Sequence, residues 1–161
     1  MRGVTMEKID WKNLSYDDFT GFVAVTAILL FVLYFGGLWY TTYDYRIQMR
    51  DQMVEMYQQL PNPIPPIEDD YGVHQRWLVF YIDGVKVLNK PQPENVINEY
   101  KKALEKEGWA TEREYIRNDK NKTYGINMRK GEFVLSVSAQ ENRDSINIHL
   151  IKRDWIYNKG F

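Results

Sequence analysis

The sequence predicts an α+β fold: one N-terminal transmembrane helix extended past the membrane, then a small, mainly antiparallel sheet with one packed helix. Three observations predict it. No charged residue interrupts Phe19 to Tyr43. Short alternating apolar segments bounded by turn residues recur after Arg76. Among them sits one segment, opened by Pro93, whose apolar residues follow helical spacing.

The uncharged run comes first in the chain. Its middle, GFVAVTAILLFVLYFGGLWY from Gly21 to Tyr40, covers roughly 30 Å as a helix, the hydrocarbon thickness of a bilayer. Trp11, Tyr16 and Phe19 precede it, and Trp39, Tyr40, Tyr43 and Tyr45 follow it, as in the aromatic belts of both interfaces. Ser15 and Asp18 have capping-box spacing, which starts the helix after an N-terminal tail, 1–18. The transmembrane helix is expected over 19–43. A cleaved signal peptide would show a basic n-region and a small-residue cleavage site. Here acidic Glu7, Asp10, Asp17 and Asp18 precede the run and bulky Leu38, Trp39 and Tyr40 close it, so the segment is expected to remain as an anchor.

Arg2, Lys8 and Lys12 before the helix outnumber Arg46 and Arg50 behind it, which predicts a cytoplasmic N-terminus and an extracytoplasmic C-terminal domain. Thr20, Ala24 and Ala27 form a small-residue stripe, and Gly36-Gly37 permits close backbone approach. Two readings stay open for these five: a docking face for a second helix, or the ordinary small-residue content of such helices. The absence of an acid, base or histidine within the segment argues against ion conduction or proton relay through it.

The stretch 44–60 lacks Gly and Pro and predicts a juxtamembrane amphipathic helix. Tyr45, Met49, Met53, Met56 and Leu60 line one face of it, to pack on the protein's own domain or on a partner helix. PNPIPP at Pro61–Pro66 then opens an expected stiff linker over 61–74, which would act as a hinge or stand-off between anchor and domain.

An α+β domain is expected over 75–157, with a tail at 158–161. Arg76 to Ile82 alternates and is apolar on both faces, and Asp83-Gly84 predicts a two-residue hairpin before Val85 to Leu88. Pro93 suits the first turn of a helix whose sticky face is Val96, Ile97, Tyr100, Ala103 and Leu104, with Gly108 in the left-handed position beyond its end. Ala110 to Arg117 can form a more polar strand. A meander follows over Lys122–Lys130, Glu132–Gln140 and Ser145–Lys152. Its inward residues should be Tyr124, Ile126 and Met128; Phe133, Leu135 and Val137; and Ile146, Ile148 and Leu150.

Composition bounds the chemistry. With 161 residues there is room for one modest domain plus accessories. Lys and Arg number 21 against 22 Asp and Glu, a net charge of −1, which leaves no basic surplus for nucleic acid. Zero cysteines remove disulfides, thiolate zinc sites and cysteine nucleophiles together. Phosphate-loop, dinucleotide-binding, serine-hydrolase and zinc-protease motifs are all missing. His74 and His149 are far apart in sequence and read as surface residues. Asp119, Asn121 and Thr123 have the spacing that begins a calcium loop, but Tyr124 and Lys130 stand where its glycine and bidentate glutamate belong. Asp69-Asp70 and Glu112 with Glu114 read as solvated charge. No catalytic residue, cofactor, metal or small-molecule substrate is expected.

VINEYKKALEKEGW, an amphipathic helix ending in Gly-Trp and followed by short strands, resembles a small α+β domain of bacterial membrane-anchored and lipid-anchored proteins of unassigned function. The likeness spans Trp77 to Trp155 and implies an extracytoplasmic domain with no catalytic residues. A looser likeness is to type IV pilins and pseudopilins, whose long N-terminal helix leads into an antiparallel sheet. Gly21-Phe22 is similar to their processing site. Asp17 and Asp18 stand in place of the basic leader, however, and Thr26 replaces the characteristic glutamate. The expectation is a non-enzymatic accessory or interaction subunit of a bacterial membrane or envelope complex, partnered by membrane lipid and other membrane subunits. The alternative is a pilin-like filament or secretion subunit.

Overall fold

The computed structural model describes residues 16–76, 78–118 and 120–153. The N-terminal tail, the Ser15 cap, Trp77, Asp119 and everything after Arg153, including Trp155 and the 158–161 tail, lie outside them. The chain is α+β, in two compact units, 1–44 and 45–161.

The first unit contributes α1, Tyr16–Thr41. At 26 residues it is about 39 Å long, and its stretch Phe19–Thr41 is long and apolar enough to cross a membrane. Its C-terminal carbonyls are met from inside the helix: the Thr42 amide and hydroxyl both donate to Leu38 O, at 3.0 and 2.7 Å, and Thr41 Oγ1 donates to Gly37 O at 2.9 Å.

α2 (Tyr43–Gln58), which belongs to the second unit from Tyr45 on, ends shortly before Pro61, which has no amide to continue the ladder. β1 (Glu68–Arg76) and β2 (Val79–Val87) pair antiparallel, then α3 (Pro93–Lys106) leads to β3 (Ala110–Asn118), β4 (Lys122–Lys130), β5 (Phe133–Gln140) and β6 (Ser145–Lys152). All six strands join one antiparallel sheet in the order β1-β2-β6-β5-β4-β3.

α3 closes as its sequence requires. Gly108 takes φ +84°, the Trp109 amide donates to Leu104 O at 3.0 Å, and the Gly108 amide donates to Glu105 O at 3.1 Å, a Schellman pair. Trp109 is buried in the same apolar cluster as Leu104. Gly131 (φ +60°) and Asn142 (φ +67°) supply the left-handed residues of the β4–β5 and β5–β6 turns.

One sheet face carries the core. Phe80 and Ile82, Ile126 and Met128, Leu135 and Val137, and Ile146, Ile148 and Leu150 are buried on it against Val96, Ile97, Tyr100 and Leu104 of α3. The other face, from Tyr81 to Tyr115, is mostly half-buried or exposed, with Gly125 and Val134 buried on it. Both edges bear charge: β1 carries Glu68, Asp69 and Asp70, and β3 alternates Glu112, Arg113, Glu114 and Arg117, which discourages pairing with another chain.

Two expectations are corrected. Asp83-Gly84 is no hairpin; it lies inside β2, with Gly72 and Tyr71 as partners on one side and His149 and Ile148 on the other. The reversal falls earlier, between the paired residues Arg76 and Val79. Gly84 is needed for contact instead: a Cβ there would run into the ring and hydroxyl of Tyr57. The linker is also shorter than 61–74, because Ile67 already donates its amide to Val87 O at 2.8 Å and β1 starts at Glu68. An edge strand exposed on both faces carries no apolar alternation, so the segment could not announce itself. The irregular link that remains joins parts of one compact unit and gives no stand-off.

Gly84→Ala should destabilise the domain by about 1–3 kcal/mol, the usual penalty of overpacking. Equilibrium unfolding in urea checks it, and adding Tyr57→Leu should recover part of the loss in a double-mutant cycle. Gly125→Ala, where the obstructing ring is that of the half-buried Tyr115, should cost less.

Candidate functional site

α1 presents its apolar surface outward. Phe22, Ile28, Leu30, Phe31 and Leu33 are all exposed, and none of the 18-residue window that marks it is buried within the chain. Each such side chain forfeits roughly 1.5–3 kcal/mol when left in water, so a helix of this kind requires an apolar medium or partner. Thr20, Ala24, Ala27, Gly36 and Gly37 are likewise exposed, and a Cβ at either glycine would meet nothing within 4 Å.

The juxtamembrane stripe lies elsewhere. Met49, Met53 (0% exposed) and Leu60 are buried in the domain core, and Tyr45 and Met56 pack against it half-buried. That burial withdraws the stripe from a partner helix. Spacing also missed the most consequential residue of α2, Tyr57, which the absent side chain of Gly84 admits.

Around Tyr57 the domain holds a polar cluster in its interior. Alternation places Lys86 on the core face of β2, in the row of Ile82 and Gly84, and its side chain is only 2% exposed. Its Nζ donates to Asp69 Oδ2 at 2.9 Å and to Asn62 Oδ1, and lies 5.5 Å from the centre of the Tyr57 ring. The Tyr57 hydroxyl donates to Asp69 Oδ1 at 3.1 Å, so one carboxylate takes both neighbours. Asp69, expected as solvated charge, is the anion of a buried lysine. Its side chain is 33% exposed, which keeps it hydrated at one edge.

Burial and then the Asp69 carboxylate push the Tyr57 phenol above its ordinary value, and the same two causes raise Tyr100. The Tyr100 hydroxyl is buried without a hydrogen-bond partner among the described residues.

The opposite sheet face brings the two histidines together. His149 Nδ1 lies 2.6 Å from Asp83 Oδ1, and His74 Nε2 lies 3.8 Å from Asp83 Oδ2. Tyr81 lies between the two imidazoles, stacked on His74 with ring centres 5.1 Å apart and 5.5 Å from His149. The reading of each as an isolated surface histidine is therefore corrected: they stand on strands β1 and β6, either side of Asp83 on β2. Among the described residues no group of three or more His, Cys, Asp or Glu is arranged to hold a metal ion. Beside His149 a groove of about 250 Å³ crosses β3 to β6, lined by Arg113, Tyr115, Arg117, Asn127 and Ser136, among others.

No protein family, curated protein or solved structure matches this chain. The site therefore has to be read from its own geometry. Lys86, Asp69, Asn62 and Tyr57 tie the loop after α2, the edge strand and the α2 helix to one strand of the sheet, and the amine spends its contacts on the protein's own oxygens. The open face, by contrast, offers guanidinium, amide, hydroxyl and imidazole groups at the surface.

Two outcomes follow from the interior cluster. Lys86→Ala should cost about 2 kcal/mol in urea unfolding, less than the 3–5 of a fully buried pair because water still reaches Asp69. Lys86→Met with Asp69→Asn should cost less than the two single changes combined. Tyr57 and Tyr100 are held neutral by the fold, so their contribution to stability is complete below about pH 10 and declines as pH rises further, where the unfolded chain ionises first. Tyr100→Phe should leave melting at pH 7 unchanged or slightly raised, and should flatten the alkaline decline of the melting temperature.

Proposed function

We propose that this protein is a non-enzymatic, single-pass membrane-anchored accessory or interaction subunit of a bacterial membrane or envelope complex. In this reading the N-terminus is cytoplasmic, the α+β domain is extracytoplasmic, and the partners are membrane lipid and other membrane subunits.

The observation that carries the reading is α1: a helix of membrane-spanning length whose apolar side chains are exposed, none of its apolar window being buried within the chain. A polypeptide that exposes such a surface must be housed by lipid or by another apolar helix. The small-residue stripe, also uncovered, favours the close approach of a second helix. Further support comes from the interior cluster, where the buried Lys86 amine is engaged by a carboxylate and an amide oxygen and so is committed to holding the fold. The three basic residues before the helix favour the stated orientation.

Purification in mild detergent should return the chain with defined membrane partners, and Ala24→Leu with Gly37→Leu should weaken that association without altering the melting of the domain. Recovery only as a free monomer would overturn the reading. Intact mass should show residues before Gly21 retained, whereas a mature chain beginning at Phe22 would turn the assignment to a pilin-type subunit.

A further inference from the structure

The groove on the open sheet face has an unusual charge make-up for this chain. Overall the acids outnumber the bases by 22 to 21, yet Arg113, Arg117 and Arg153 line the groove and no carboxylate does. Elsewhere in the domain some cations are neutralised, Lys86 by Asp69, Lys101 by Glu114 and Arg129 by Glu112. Arg113 and Arg117 have no ion pair among the described residues. Both guanidiniums rise from the same face of β3, and the Tyr115 ring between them lies 5.1 Å from Arg117 Cζ, which steadies that fork.

The register adds donors in line with them. Arg113 is the partner of Asn127, Asn127 of Ser136, and Ser136 of His149, so four polar side chains form one row across four strands, and beyond it Asp83 holds His149 Nδ1 and leaves Asn127 and Ser136 as the row's uncommitted donors. At about 4.8 Å between neighbouring strands, the row spans roughly 14 Å. Asn127 and Ser136 are half-buried, and neither side chain has a hydrogen bond among the described residues. Val134 and Ile151 give the groove an apolar floor. Half-buried donors without acceptors, flanked by the guanidiniums of Arg113 and Arg117, suit a ligand that brings several acceptors and negative charge at once.

We propose that this groove is a binding site for a phosphate group, carried by a soluble phosphate ester or by an anionic lipid headgroup. Arginine forks match phosphate oxygens two at a time, and the side-chain amide and hydroxyl in the same row meet the remaining acceptors. A volume of about 250 Å³ leaves space for the organic part of an ester beside Val134 and Ile151. The site lies wholly within the α+β domain and stands whether or not α1 proves to be a membrane anchor.

The test uses the full chain in neutral detergent micelles, titrated with inorganic phosphate and glycerol 3-phosphate, and separately in phosphatidylcholine micelles with and without phosphatidylglycerol. Saturable shifts of the Arg113 and Arg117 side-chain NMR signals are expected. Arg113→Ala with Arg117→Ala should weaken binding at least about tenfold at an unchanged melting temperature, as loss of charge-assisted hydrogen bonds predicts. Arg143→Ala, which removes a charge from the exposed β5–β6 turn, should leave binding intact. A response to the free esters identifies a soluble source, and a response only when phosphatidylglycerol is present identifies the headgroup; either supports the site. No response in either arm, equal weakening by Arg143→Ala, or binding of poly-aspartate alone would overturn it.

Discussion

A six-stranded antiparallel sheet has two faces to dispose of, and the described domain supplies two helices, both spent on the same one. α3 lies over the β3–β5 end, where Val96, Ile97, Tyr100 and Leu104 meet the apolar rows of those strands. At the β1–β2 end the covering element is α2, which buries Met49, Met53 and Tyr57, and its closest approach is the Tyr57 ring against the missing side chain of Gly84. Without that close approach the ring would stand off the strand and its hydroxyl would lose the reach to Asp69. The edge strand, the loop after α2 and the buried lysine all depend on it.

The interior cluster follows from the same constraint. Once α2 sits over β2, the side chain that follows Gly84 on that face, Lys86, is sealed from water, and an ammonium in such a place needs its donors met. Asp69 and Asn62 meet them from the two segments that most need anchoring, an edge strand and an irregular loop. A pair of this kind contributes little net stability against an apolar equivalent, but it penalises every arrangement that would strand one partner. Asp69 stands directly opposite Lys86 in the β1–β2 register, so a slip of β1 would separate the two. Such a role suits a segment whose own residues carry almost no pattern.

How far the fold was legible depends on where each residue's information resides. Strands β4, β5 and β6 alternate apolar and polar because one face is buried and the other wet, so their bounds and inward residues could be read directly. The end of α3 was legible because Gly108 and Trp109 close it through local hydrogen bonds. Asp83-Gly84 misled because the same dipeptide that favours a tight turn also serves a strand interior where a ring must approach. The candidate site was illegible throughout. His74 and His149 meet at Asp83 across three strands, and Arg113 reaches the row of His149 through two more. No spacing along the chain encodes such neighbours.

The sequence by itself determined what local physics and solvent decide: an uncharged helix of bilayer length, an amphipathic helix with its stop, three alternating strands and the α+β class that joins them. The reason is that these depend on periodicity and on residues within a few positions of each other. Tertiary structure alone decided that the polar stretch after Ile67 is a strand, that Lys86 belongs inside, and that Arg113 and Arg117 of β3 meet no carboxylate among the described residues. Those outcomes depend on which strands become neighbours, a choice made by packing and backbone pairing between segments far apart along the chain.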